Sequence, residues 1–183
     1  MGVTNSNKTT NLTRIDCDGT FELTLALTAA PDIVSNPTDI VLMLDRSGSM
    51  SGAPLANLKN GAKKFIDIID EATDDTQDGC IGSGSRIGIV SFADTATQNT
   101  ALISSVSSLD EAVDSLVAGG DTNHADAFER AAALFDPTSS NKKVLVMFTD
   151  GKTTAGPDPS PVAAAARAQG ITIYAVGLIG SEG

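Results

Sequence analysis

Between Asp39 and Val176 the chain alternates short, wholly apolar runs with longer stretches whose apolar residues recur every three or four positions. The runs Ile40-Val41-Leu42-Met43-Leu44, Ile87-Gly88-Ile89-Val90, Val144-Leu145-Val146-Met147-Phe148 and Ile171-Thr172-Ile173-Tyr174-Ala175-Val176 have strand length and are rich in β-branched residues. Strands without a polar face belong in a parallel sheet covered by helices, so all four are expected to be buried. A more polar segment from Thr95 to Ile103 fits one antiparallel edge strand.

The intervening stretches carry helix signals. Pro54 suits a first helical turn, and Leu55, Leu58, Ala62, Phe65, Ile66 and Ile69 follow at helical spacing. Ser108 and Glu111 have the spacing of a capping box ahead of Val113, Leu116 and Val117, with Gly119-Gly120 as the stop. Asn123 is placed to cap a helix bearing Phe128, Ala132 and Phe135, and Ser160-Pro161 opens an alanine-rich helix that Gly170 closes. Strictly alternating strands and helices predict an α/β fold with a doubly wound, mostly parallel sheet.

The first 38 residues differ. Met1 to Leu12 is polar and reads as a flexible lead-in. From Phe21 to Thr28 every second residue is apolar, the pattern of a strand with one wet face. This extra N-terminal strand fits either an edge of the main sheet or a neighbouring β-domain. The sequence thus divides into a lead-in with a flanking strand, residues 1–38, and a main domain, residues 39–183.

Composition narrows the function classes. The 183 residues are 41% hydrophobic and 19% charged, enough for a packed core, with a formal net charge of -11. A chain this acidic, lacking clustered Lys and Arg, is a poor partner for nucleic acid and suits cation binding. No apolar run approaches the ~20 residues of a membrane span, and no signal-peptide pattern opens the chain, so no direct membrane insertion is expected. Cys17 and Cys80 are too few for a thiolate zinc site, and they fit a disulfide or two free thiols equally.

In an open α/β sheet, ligands bind beyond the carboxyl ends of the strands where strand order reverses. Two strands end in chemistry of the same kind, Asp45-Arg46-Ser47-Gly48-Ser49 and Thr149-Asp150-Gly151, and Gly119-Gly120-Asp121-Thr122-Asn123 leads into a helix between them. If those two strands are neighbours, the three segments meet. Asp45 and Asp150 then offer two carboxylates, and Ser47, Ser49 and Thr122 three neutral hydroxyls. An all-oxygen set suits a hard cation, and so few carboxylates favour Mg²⁺, with Mn²⁺ or Ca²⁺ acceptable. Neutral hydroxyls donate little charge, so such a cation stays electrophilic toward a further oxygen.

These three segments, in this order, resemble those of a von Willebrand factor type A domain, over roughly Asp39 to Ile179. The resemblance implies a Rossmann-like fold and a metal-ion-dependent adhesion site. By position, Ser47, Ser49 and Thr122 would touch the metal, while Asp45 and Asp150 would act mostly through water. It further implies a protein partner that completes the coordination with an Asp or Glu carboxylate. The threonine-rich, acidic style resembles modules of bacterial surface proteins, which implies an extracellular or cell-surface location. The chain stops soon after Val176, where the family continues into a final helix, so the resemblance implies a piece of a longer protein with further domains.

Enzyme signals are weaker. Gly151-Lys152-Thr153 ends like a P-loop, but Val146 stands where its first glycine must be. Gly48-Ser49-Met50-Ser51-Gly52 mimics a nucleophile elbow with Met50 in the central place. His124, the one histidine, is expected to be a capping or surface residue rather than a general base. A metal-dependent hydrolase or phosphotransfer domain using the same cation is the alternative to a binding module. Asp94 and Asp126 read as structural, and Asp121 as a solvated loop acid.

Overall fold

The computed structural model describes residues 5–10, 23–28, 36–74 and 77–177. The chain divides into two compact units, residues 1–33 and 34–183, a few residues ahead of the boundary expected from sequence. In the first unit β1 (Asn5–Thr10) pairs antiparallel with β2 (Leu23–Thr28), Asn5 opposite Thr28 and Thr10 opposite Leu23. Residues 5–10, expected to be part of a lead-in, are therefore a strand. Their Asn and Thr content hides the apolar alternation by which strands are recognised, although threonine itself favours the extended backbone. The strand expected at Phe21–Thr28 belongs to this separate two-stranded sheet.

The second unit contains β3 (Thr38–Asp45), α1 (Ala53–Asp74), β4 (Arg86–Phe92), β5 (Ala96–Gln98), α2 (Val106–Asp114), α3 (His124–Ala132), β6 (Lys142–Thr149), α4 (Ser160–Ala168) and β7 (Ile171–Gly177). Its five-stranded sheet has the order β5-β4-β3-β6-β7. All neighbours are parallel except β5, which runs antiparallel to β4. This is the predicted α/β doubly wound arrangement with one antiparallel edge strand.

Alternation along β3 serves two cores at once. Val41 and Met43 pack with Val90, Phe92, Ala127, Phe128, Ala131 and Leu145 on the side of α3 and α4. The intervening Ile40, Leu42 and Leu44, equally buried, point to the opposite face, where α1 packs against α2. On that side α1 buries Leu55, Leu58, Ala62, Ile66 and Ile69, while Phe65 is half-buried with its ring edge-on to Phe148. Each fully buried aliphatic side chain of this kind contributes roughly 1.5–3 kcal/mol on leaving water.

Three expectations are corrected. Helix α2 begins at Val106, capped by Ser105, whose hydroxyl accepts the Ser108 N–H, so the expected box at Ser108 and Glu111 does not open it. The serine run 104–108 offered several candidate caps, and tertiary pairing of Val106 N–H with Gly79 O chose among them. The helix also ends early, leaving Leu116 and Val117 in the following loop, with Val117 73% exposed. Finally, β7 is not a buried strand. Ile171 is buried and Ile173 partly so, but Tyr174 to Gly177 are exposed. The strand lies at the sheet edge, paired with β6 and covered by α4, so its apolar residues have few neighbours among the described residues.

At the amino end of the sheet, the fully buried Asp39 accepts a two-pronged contact from Arg86 Nε (2.9 Å) and Nη2 (2.8 Å), with Asn141 Nδ2 at 3.1 Å. Cys80 is exposed, and Cys17 lies outside the described residues, as does any pairing between the two.

Candidate functional site

β3 and β6 are hydrogen-bonded neighbours, Leu44 opposite Phe148, so their carboxyl ends deliver Asp45 and Thr149-Asp150 side by side. β4 lies on the other flank of β3, making the β3/β6 junction the point where strand order reverses. After Asp45 the chain turns through Arg46 and Ser47 into a single helical turn, Gly48–Met50, before α1. The buried Asp45 holds that turn: its Oδ1 accepts the Ser47 N–H at 2.9 Å.

The hydroxyls then form a chain across the junction. Ser47 Oγ and Ser49 Oγ are 3.2 Å apart, and Ser49 Oγ donates to Asp150 Oδ1 at 3.0 Å. Four of the five predicted residues are therefore linked by hydrogen bonds over 101 residues of sequence between Ser49 and Asp150. Thr122, also buried, is brought in by its loop rather than by a direct bond to the other four. Gly48 N–H donates to Gly120 O (2.8 Å), Gly119 N–H to Arg46 O (2.8 Å), and Arg46 N–H to Phe92 O (2.9 Å). Thr122 N–H is held by Thr154 Oγ1 at 2.9 Å, and Thr122 O accepts from Thr154 and Ala155 N–H. The close crossing at Gly120 needs glycine, since its φ is +83° and a Cβ there would overlap the Asp94 carboxylate.

The acids with expected structural roles have them. Asp94 Oδ1 accepts the Asp121 N–H, and Asp126 Oδ2 accepts the Ala96 N–H at 2.6 Å. Asp121 is exposed, and Asn123 caps α3 by accepting the Asp126 N–H.

Behind the five candidate residues lies a second polar layer that sequence reasoning missed. Thr149 Oγ1 donates to Asp45 Oδ2 at 2.6 Å, and His124 Nε2 lies 3.2 Å from the same hydroxyl. His124 Nδ1 meets Thr153 Oγ1 at 2.7 Å, and its ring packs against Phe92 at a centroid distance of 5.2 Å. The histidine is thus neither a cap nor a surface residue. Burial lowers its pKa from the ordinary value, partly opposed by the nearby Asp45 charge. Strand register accounts for the contact: one step beyond Leu44 and Phe148, Asp45 and Thr149 come level, a pairing that no local pattern in the sequence announces.

The donor chemistry fits a hard divalent cation. Among the described residues, no three His, Cys, Asp or Glu side chains converge on a metal-sized centre, so any ion at this junction needs the hydroxyl oxygens. A serine that gives its proton to Asp150 and accepts from Ser47, as Ser49 does, keeps one lone pair for a cation.

Residues 39–182 match the family model of the von Willebrand factor type A domain. The chain belongs to that family. Mouse matrilin-3 is 30% identical over 146 residues, which cover 79% of this chain and 30% of the relative. This VWA chain therefore spans under a third of that protein's length. Proximal thread matrix protein 1 from the mussel byssus, in a structure with a zinc-occupied metal-ion-dependent adhesion site motif, is 26% identical with a TM-score of 0.64, covering 78% of this chain and 36% of that one. A von Willebrand factor type A structure from Catenulispora acidiphila shares the fold at 23% identity and a TM-score of 0.63, covering 85% of this chain and 35% of that one.

Proposed function

We propose that this VWA domain is a divalent-cation-dependent protein-binding module, with Mg²⁺ held by Asp45, Ser47, Ser49, Thr122 and Asp150. The observation that carries the reading is the hydrogen-bonded line of Ser47, Ser49 and Asp150 across the β3/β6 junction, with Asp45 fixed beneath it. When bound, the cation supplies an electrophilic centre for an Asp or Glu carboxylate of the partner. The chain's own groups orient the set. Asp45 is anchored through both oxygens by Ser47 N–H and Thr149 Oγ1, which limits how far it can swing. The N-terminal end of α1, just beyond the turn, adds a favourable field for an approaching anion.

An adhesive role outside the cell, within a longer protein, agrees with the resemblance to matrilin-3 and to the byssal thread matrix protein. No helix among the described residues is long and apolar enough to cross a membrane. Zinc in the byssal structure makes Zn²⁺ a further ion to test beside Mg²⁺ and Mn²⁺. The hydrolase alternative is less well supported, because His124 has both ring nitrogens committed to threonine hydroxyls and is buried.

Titration calorimetry tests the metal reading. Mg²⁺ or Mn²⁺ should bind the parent chain at one site, and Asp45→Ala should abolish the heat while far-UV circular dichroism keeps its parent shape. A parent chain that takes up neither ion would leave the domain a spacer and end the proposal.

A further inference from the structure

On the other side of the same loop, an open cleft of about 240 Å³ lies between the carboxyl end of β4, β5 and the loop after α2. Alternation explains why it is distinct from the metal set: Asp45 faces the α3 side, and Arg46, the next residue, turns to the opposite face with Leu44. Arg46 lines the cleft with Ser91, Thr97, Asn99 and Val117. No other charged residue lines it.

Its polar groups are short of partners. Ser91 is 1% exposed, yet its hydroxyl has no hydrogen-bond partner. Leaving such a group unmet costs about 1–3 kcal/mol, and the atom itself is sealed from the cleft. Ser91 N–H donates to Asn99 Oδ1 at 2.8 Å, which commits the Asn99 carbonyl and leaves its NH₂ as a donor. The Arg46 guanidinium makes no ion pair or side-chain hydrogen bond among the described residues. A guanidinium fork and an amide NH₂ beside one cleft select an anionic acceptor, and a planar carboxylate matches the fork. Val117, 73% exposed at the rim, offers an apolar wall to the methylenes of a glutamate. At ~30 Å³ per water, the space exceeds what one or two solvent molecules fill.

We propose that the Arg46 cleft is a second subsite for an acidic side chain of the protein partner, glutamate being the better fit. The partner then carries two acidic groups, one for the metal set and one for Arg46. The partner's identity as a protein rests on the function proposed above; the cleft's affinity for a carboxylate does not.

The test is a ¹⁵N NMR titration with N-acetyl-glutamate α-amide, and its neutral glutamine counterpart as control. In EDTA the acidic probe should shift the Ser91, Asn99 and Val117 amides saturably, and the neutral probe should not. Arg46→Gln should weaken the effect about tenfold, the loss of one charge-assisted contact. Ser91→Ala, which removes a hydroxyl sealed from the cleft, should leave the affinity within about twofold and melt no lower than the parent. No saturable shift in EDTA, equal shifts by the neutral probe, or an unchanged response in a well-dispersed Arg46→Gln spectrum would each overturn the assignment. Added Mg²⁺ separates the two readings. Cleft shifts that persist while the Ser47 and Thr122 amides ignore the ion would support the cleft and sink the metal site.

Discussion

At the scale of single residues, Thr149 decides how Asp45 of the proposed metal set is held. It gives its proton to Asp45 Oδ2 at 2.6 Å and is itself within reach of His124 Nε2, so one hydroxyl joins the Asp45 carboxylate to a buried imidazole. Groups that orient a ligand from behind typically alter metal affinity by 10–100-fold. Thr149→Val keeps the β-branched shape that suits a strand end and removes only the hydroxyl. We expect Mn²⁺ affinity to fall about tenfold by calorimetry, and stability in EDTA to drop by about 2 kcal/mol because one oxygen of the buried Asp45 loses its donor. An unchanged Mn²⁺ affinity would show that Asp45 is positioned without Thr149. The same residue marks what the sequence conceals. Thr149 stands beside Asp150 in plain view, but its role depends on the strand it pairs with, which no local pattern states.

At the scale of elements, the loop ahead of α3 separates two glycines that look alike in sequence. Gly119 has open space where a Cβ would go, whereas Gly120 combines φ +83° with the Asp94 carboxylate and supplies the carbonyl that accepts the Gly48 N–H. Gly119→Ala should change stability by no more than about 0.5 kcal/mol. Gly120→Ala should cost more than about 2 kcal/mol in urea melts, from left-handed backbone strain and the displaced carboxylate together. It should also weaken Mn²⁺ binding, because the turn carrying Ser47 and Ser49 loses its tie to the Thr122 loop. Equal behaviour of the two variants would refute this account of the crossing. The elements show the same division between local and distant causes. Strands β3, β4 and β6, helix α1 and the capped start of α3 were legible because apolar spacing and caps are local properties, whereas Phe135, expected on α3, lies beyond its end at Ala132. The start of α2 was not, since a hydrogen bond from Val106 to Gly79 fixed it among four candidate serines between 104 and 108. The exposure of β7 was hidden for a related reason: apolar composition reports strand type, but a strand's rank in the sheet is set by topology. The meeting of the three segments could be read because each motif sits directly after or before an element whose place was predictable.

At the scale of the five-stranded domain, the sheet keeps the proposed binding site and a buried ion pair at opposite ends. Asp39 and Asp45 are six residues apart on β3, roughly 20 Å of extended chain. The Asp39 carboxylate is fully buried and is met by two Arg86 nitrogens and Asn141, whereas the Arg86 side chain is 40% exposed. That imbalance makes the two halves of the pair unequal. Arg86→Met strands a buried charge that only Asn141 can answer, and such losses typically cost about 3–5 kcal/mol. Asp39→Asn leaves a guanidinium free to turn toward water, so about 1–2 kcal/mol is expected. Urea denaturation in EDTA should therefore rank Arg86→Met below Asp39→Asn, and both below the parent. Mn²⁺ affinity, measured where each variant is fully folded, should stay within about twofold of the parent, as expected for sites that share no partners. Equal losses from the two substitutions would contradict the burial argument. A folded Arg86→Met with weakened Mn²⁺ binding would mean that β3 transmits strain along its length, and that the two ends of the sheet are one cooperative site.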